Sequence, residues 1–342
     1  MNRILLTGGL GFIGSHTAVA LVQAGYSVVI YDSLYNSRAS VLDRLEIITG
    51  VRFPFIKADI LDTKTLTETL VNYGIHAVMH FAGLKAVSES ISYPLTYYQN
   101  NVSGTLSLLQ AMESAGIRRL IFSSSATVYG EPQYLPIDEK HLINPMNPYG
   151  QTKHFVEEIL GNIAKSENQD SINFWRIVNL RYFNPVGAHE TSLIGEEPNG
   201  EPNNLFPYVC QVASGQRPVL PIFGNDYNTR DGTGIRDYIH VMDLAEGHVA
   251  AISLLKGATE FNTINLGTGV GYSVLEIIEA FEKASGSQIP YQFCPRRAGD
   301  VEICFADITQ AKNLLGWEAR FGLNEMCSSA WKYRQSANAL AY

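Results

Sequence analysis

The chain has 342 residues, 46% of them hydrophobic and 17% charged, which is enough apolar material for a large core and excludes a disordered chain. Lys and Arg total 25 against 33 Asp and Glu, for a net charge of -8. With no Lys/Arg cluster to displace counterions, duplex nucleic acid and anionic membrane are poor partners for it.

Short β-branched runs alternate with amphipathic stretches from the start. Arg3–Thr7 reads as a strand, and Ser15–Ala24 as a helix stopped by Gly25, which tolerates a left-handed C-cap. Ser27–Tyr31 reads as the next strand, ending at Asp32, and Val41–Thr49 as a helix that closes at Gly50. Phe53–Lys57 follows as a strand, and Asp62 is placed to cap a helix that runs to Tyr73. Ala77–Phe81 is the fourth expected strand, Tyr97–Ala115 a longer helix, and Leu120–Ser124 a further strand. Expected strands start at 3, 27, 53 and 77, a spacing of 24 to 26 residues that suits βα units with right-handed crossovers. The fold class expected is α/β, with a Rossmann-type doubly wound parallel sheet.

After the expected strand Phe174–Leu180 the texture changes. Residues 184–237 are rich in Gly, Pro and Asn and read as a loop-rich region, a common place for function. Tyr238–Val241 and Thr263–Leu266 read as strands that return to the first domain. The expected division is a nucleotide-binding domain over residues 1–183 and a smaller, loop-rich α/β substrate domain over 184–342.

Cys210, Cys294, Cys304 and Cys327 are scattered without a CxxC, which suits a reducing compartment better than a disulfide framework. The eight histidines form no metal signature, so no metal is expected. No apolar run approaches the ~20 residues of a membrane span, and the first residues read as a strand, not as a signal peptide. A cytoplasmic location is expected.

Thr7-Gly8-Gly9-Leu10-Gly11-Phe12-Ile13-Gly14 joins the first expected strand to the first helix. Gly8, Gly11 and Gly14 allow a tight turn, close approach of backbone N–H groups to a pyrophosphate, and tight helix–strand packing. The spacing is GxxGxxG, and alone it is a weak signal. Asp32, at the end of the second strand, strengthens it: a carboxylate there accepts from the adenosine ribose and repels a 2′-phosphate, favouring NAD over NADP. Arg38 nearby is the one feature that would favour the phosphate.

Tyr149 and Lys153 lie four apart at the start of an expected helix and so share a face. A phenol titrates near 10, so a base at neutral pH needs a shift of ~3 units, which cations in the site favour. Ser125, in the run Ser123-Ser124-Ser125 at a strand end, adds a hydroxyl where open α/β sheets bind their ligands.

Gly8–Gly14, Asp32, Ser125 and the Tyr149/Lys153 pair together resemble the extended short-chain dehydrogenase/reductase family. Longer strings at 80–87, 123–130, 180–188 and 234–241 narrow the likeness to its UDP-hexose 4-epimerases, from residue 3 to about 330. The resemblance implies further NAD contacts: Phe12 and Ile13 at the pyrophosphate, Ser33, Asn36 and Ser37 with Asp32 around the ribose, and Asp59 and Ile60 near adenine. Phe81, Ala82, Gly83, Lys85, Asn100 and Phe183 follow along the rest of the cofactor. For a UDP-sugar it implies Lys85, Ser125, Tyr149, Asn184, Asn204, Leu205, Pro221, Ile222, Phe223, Arg236, Arg297 and Asp300. It also implies a homodimer through helices near Tyr97–Ala115 and Tyr149–Ile163, where Leu106, Leu109, Phe155 and Ile159 are bulky.

The implied reaction is NAD-dependent 4-epimerisation through a transient 4-keto sugar, with Tyr149 as base, Lys153 tuning it and Ser125 positioning the hydroxyl and relaying protons. A 4,6-dehydratase of the family carries an Asp-Glu pair after its hydroxyl residue, whereas Ala126 and Thr127 follow Ser125. Uronate epimerases and decarboxylases on the same scaffold remain alternatives, and a non-catalytic NAD-binding protein is disfavoured by the Tyr/Lys pair. Cys304 falls four residues beyond Asp300, where restrictive relatives hold a Tyr against the hexose. The small thiol implies that UDP-GlcNAc and UDP-GalNAc are accepted beside UDP-glucose and UDP-galactose.

Overall fold

A computed structural model describes residues 2–166, 174–198, 200–202, 204–257, 261–297 and 299–339. Its first half is a run of βα units: β1 (Arg3–Thr7), α1 (Phe12–Gln23), β2 (Ser27–Asp32), α2 (Ser40–Thr49), β3 (Phe55–Lys57), α3 (Thr63–Asn72) and β4 (Ala77–His80). Asp62 caps α3 by accepting from the Thr65 N–H at 3.0 Å. Short helices α4 (Val87–Ser92) and α5 (Pro94–Tyr97) precede α6 (Gly104–Ser114), β5 (Arg119–Ser125), α7 (Pro148–Ala164) and β6 (Arg176–Tyr182).

All neighbours in the main sheet are parallel, in the order β3-β2-β1-β4-β5-β6, with β10 (Phe261–Leu266) at the far edge beside β6. Its central strands are buried on both faces, as a parallel sheet between helices requires. Ile4 and Leu6 pack toward α1 and α2, while Leu5 packs with Leu66, Leu108 and Leu160 on the opposite face. The strand order reverses between β1 and β4, and their carboxyl ends open the crevice where such sheets bind nucleotides.

The second half holds β7 (Asn184–Val186), α8 (Leu205–Ala213), β8 (Leu220–Phe223), β9 (Ile235–His240), α9 (Val241–Ala251), β11 (Gly271–Ser273), α10 (Val274–Ser285), β12 (Tyr291–Cys294), β13 (Ile303–Cys304) and α11 (Leu323–Ala339). The strand expected at Thr263–Leu266 joins the main sheet as part of β10, but the one expected at Tyr238–Val241 does not. That segment forms β9, the centre of a small sheet with β7, β11 and β13. Asp237 helps to hold it there: its fully buried carboxylate accepts from the N–H groups of Thr268, Gly269 and Ala306 and from the Thr268 hydroxyl. Buried acceptors must be paired, and these donors come from the turn after β10 and the segment after β13. The chain then returns, because α9 packs on α1.

Two further differences bear on the site. The first helix begins at Phe12 instead of Ser15, since Gly11 is already its N-cap. The helix expected over Tyr97–Ala115 is broken by a π-helical stretch at Tyr98–Ser103. Asn101 explains the widened turn: its buried amide accepts from the Leu84 N–H at 2.8 Å and donates to the Leu84 carbonyl at 3.0 Å. π-Helical turns of this kind are frequent at functional sites.

Candidate active site

Gly8, at φ +67°, makes the turn out of β1. A Cβ there would stand 2.7 Å from the Ala82 nitrogen, and one on Gly14 would stand 2.4 Å from the Gly8 carbonyl oxygen. Only glycine lets the loop, β4 and α1 approach this closely. The start of α1 is thus bare, with the N–H groups of Phe12, Ile13 and Gly14 at a helix N-terminus, where the dipole favours an anion.

One cleft is lined by Gly8, Gly11, Phe12, Ile13, Gly14, Asp32, Ser33, Asn36, Ser37, Asp59, Ile60, Phe81, Ala82, Gly83, Lys85 and Asn100. These sequence-predicted cofactor residues come from the ends of four strands, with Asn100 added by the π-helical stretch. Asp32 is buried and accepts from the Leu10 N–H at 3.0 Å, the Leu34 N–H at 2.9 Å and the Ser37 hydroxyl at 2.8 Å. Oδ2 receives one of these bonds and retains a lone pair for a ribose hydroxyl. Arg38 is engaged elsewhere: its Nη1 lies 2.7 Å from Glu197 Oε1. The glycine cradle and the buried carboxylate fit an adenine dinucleotide without a 2′-phosphate.

Segment 194–198 and Tyr333 complete the cleft, and nothing local in the sequence marks them. Glu197 receives Arg38, a second approach from Arg44 at 3.9 Å, and the Tyr333 hydroxyl at 3.1 Å. Glu196 receives Lys85 Nζ at 2.9 Å and Asn204 Nδ2 at 2.7 Å on the same oxygen. Lys85 of the cofactor side and Asn204 of the substrate side therefore meet through one carboxylate.

Ser125 ends β5, and Tyr149 and Lys153 stand on the first turns of α7, where the Asn147 side chain caps the Gly150 N–H at 2.9 Å. The Lys153 ammonium donates to the Ser123 carbonyl at 2.6 Å and lies 5.9 Å from the centre of the Tyr149 ring. Two of its three donors remain. Burial raises the Tyr149 phenol above its ordinary value, and a hydrogen bond with the Ser125 side chain draws it partway back. Burial pushes Lys153 down to about 8, with Glu157 opposing. Lys153 is therefore protonated at neutral pH but loses its proton before the phenol does. A positive charge beside the phenol would favour its phenolate further.

Glu157 lies one further turn along α7. It pairs with Arg181 of β6 through bonds of 3.0 and 2.6 Å, and both side chains are more than nine-tenths buried. Ser124 also donates to Glu157. This pair fastens the helix bearing Tyr149 and Lys153 to the sheet edge that ends in Ser125.

On the opposite wall, Phe183, Ala126 and Cys304 share a small buried cluster. Cys304 is paired in register with Arg236, and burial pushes its thiol up to about 11, so it is a neutral, compact side chain and not a nucleophile. The Arg297 guanidinium stacks over Phe223 at 4.1 Å and approaches Asp300 at 3.7 Å. Asn184 is exposed at the start of β7, and Asn204 and Leu205 open α8. Strand alternation turns the Ile222 side chain into the core with Val209 and Phe281, between Pro221 and Phe223, and leaves its backbone for any contact with a ligand. Among the described residues no cluster suits a metal ion, and no helix is long and apolar enough to cross a membrane.

The sequence pattern of the family described as GDP-mannose 4,6 dehydratase matches residues 5–330. A UDP-glucose 4-epimerase of Bacillus subtilis is 53% identical over 339 residues, covering 99% of this chain and 98% of that one. A solved UDP-glucose-4-epimerase from Stenotrophomonas maltophila, with bound NAD and formylated UDP-arabinopyranose, superposes with a TM-score of 0.96 at 48% identity, over 99% of this chain and all of that one. The enzyme from Bifidobacterium longum, in complex with NAD+ and UDP, does so with a TM-score of 0.94 at 46% identity, over the full length of both.

Proposed function

The chain belongs to the family of the GDP-mannose 4,6 dehydratase pattern and within it to the UDP-glucose 4-epimerases, and from that premise we propose how its residues divide the work. The enzyme is an NAD-dependent 4-epimerase of UDP-hexoses. The observation that carries the division is the convergence of Ser125, Tyr149 and Lys153 beside the cleft built by Gly8–Gly14 and Asp32.

Bound NAD supplies the hydride acceptor for sugar C4 and, when oxidised, a positive charge that does not titrate. Tyr149 takes the proton of the 4-hydroxyl, and Lys153 offers its two unused donors to the cofactor ribose. The 4-keto sugar turns over in the pocket, and Tyr149 returns the proton once the other face has been reduced. Arg236 and Arg297 bind the diphosphate, Phe223 and the backbone of Pro221 and Ile222 bind the uracil, and Asp300 its ribose. Ala126 and Thr127 offer no carboxylate for removing a C5 proton, which supports epimerisation over dehydration. Incubation with UDP-galactose and chromatography of the products tests the assignment; UDP-glucose is expected, and its absence would overturn it.

Cys304 sets a small side chain beside Phe183 and Ala126, which supports acceptance of UDP-GlcNAc and UDP-GalNAc as well. The free cysteines suit a reducing cytoplasm. The protein pairs into a homodimer through the face where Leu95 is 82% exposed and Leu106 and Phe155 about half as much. Leu109 is not part of that face, since it is buried in the core. Light scattering is expected to give twice the chain mass, and a monomer mass would overturn the pairing.

A further inference from the structure

Ser125 caps the short 3-10 helix Ala126–Val128, and in doing so it accepts two hydrogen bonds from one residue. The Thr127 N–H donates to Ser125 Oγ at 3.2 Å, and the Thr127 hydroxyl donates to the same oxygen at 2.9 Å. A serine hydroxyl has two acceptor lone pairs and one proton. With both lone pairs taken, that proton is all Ser125 has left to offer, and the Ser125 side chain draws the Tyr149 phenol down from the value its burial would give. Sequence reasoning passes over Thr127, which is noticed only for failing to be a carboxylate.

We propose that Thr127 is a positioning residue that makes Ser125 an obligate hydrogen-bond donor toward Tyr149. This rests on the catalytic assignment above and alters one part of it: Ser125 does not relay the proton. A relay would have to accept before it gives, and its lone pairs are occupied. A donor aimed at the phenol stabilises the phenolate over the phenol, so Thr127 lowers the pH at which Tyr149 becomes a base. Removing the Thr127 hydroxyl frees a lone pair on Ser125, whose proton is then no longer directed.

The test compares Thr127→Val and Thr127→Ser in the NAD-loaded enzyme with UDP-galactose. In Thr127→Val, kcat at neutral pH is expected to fall about tenfold with KM unchanged, the effect of one misdirected hydrogen bond. The acid limb of its kcat–pH profile should move up by about one unit, so that the deficit closes at alkaline pH. Thr127→Ser retains a hydroxyl and should restore both. A deficit equal at every pH, a rise in KM alone, or no rescue by serine would overturn the proposal. Should the valine variant fail to fold, Thr127→Ala provides the same comparison, with bound NAD reporting an intact cleft. Absence of turnover in the unaltered enzyme would instead sink the catalytic assignment itself.

Discussion

Arg38 and Glu197 stand 159 residues apart in the chain and meet at 2.7 Å across the mouth of the cofactor cleft. The pair joins the loop after β2 to a segment of the second half of the chain, and Arg44 and Tyr333 converge on the same carboxylate. Arg38 is half exposed, so the single ion pair contributes at most about 1 kcal/mol. Its expected role is kinetic, holding segment 194–198 over the bound dinucleotide. Glu197→Gln should speed NAD release by a few-fold while leaving the melting temperature nearly unchanged. An unaltered release rate, followed by cofactor absorbance after gel filtration, would show that the segment is not a latch.

Tyr149→Phe removes the phenol oxygen proposed to take the sugar proton. General base catalysis contributes about 10²–10⁴-fold, so kcat should fall by at least the lower figure with NAD content preserved. Activity near that of the unaltered enzyme would reassign the base.

Cys304→Tyr places a ring against Ala126 and Phe183. A ring that crowds a 2-acetamido group costs about 1–3 kcal/mol, while the smaller hexose is spared. Turnover of UDP-GlcNAc should fall about tenfold or more, with UDP-galactose turnover largely kept. Equal losses on both sugars would mean that the cysteine supports the fold instead of selecting the sugar.

Burial lowers His16 and His80 to about 3 and His240 and His248 to about 4, all below the ordinary 6.5. Each is neutral when folded and takes up a proton more readily when unfolded. Their contribution to stability is complete above about pH 6.5 and is lost as the pH falls toward 4, at up to about 1.4 kcal/mol per pH unit for each histidine. The melting temperature should therefore decline steadily from pH 7 to pH 4.5. A flat profile over that interval would show that these side chains are solvated.

Glu157→Gln strips the Arg181 guanidinium of its buried counter-charge. Breaking such a pair from one side costs about 3–5 kcal/mol. A large drop in the urea midpoint is expected, together with loss of activity as α7 loosens. A midpoint within error of the unaltered protein would remove the pair from the anchoring of that helix.

The glycine turn at Gly8–Gly14, the carboxylate of Asp32 at a strand end, the Asp62 cap and the four-residue spacing of Tyr149 and Lys153 were all legible in the sequence. Each depends on residues within a turn or two of one another, where backbone geometry alone sets the outcome. Tertiary structure decided the rest. β9 lies in a small sheet of its own, where Asp237 accepts from Thr268, Gly269 and Ala306. Asn101 widened a helix in order to hold Leu84. Lys153 met the Ser123 carbonyl, and Arg38 met Glu197. Each is a polar group whose partner lies far along the chain, and a buried donor or acceptor takes whichever partner packing brings to it.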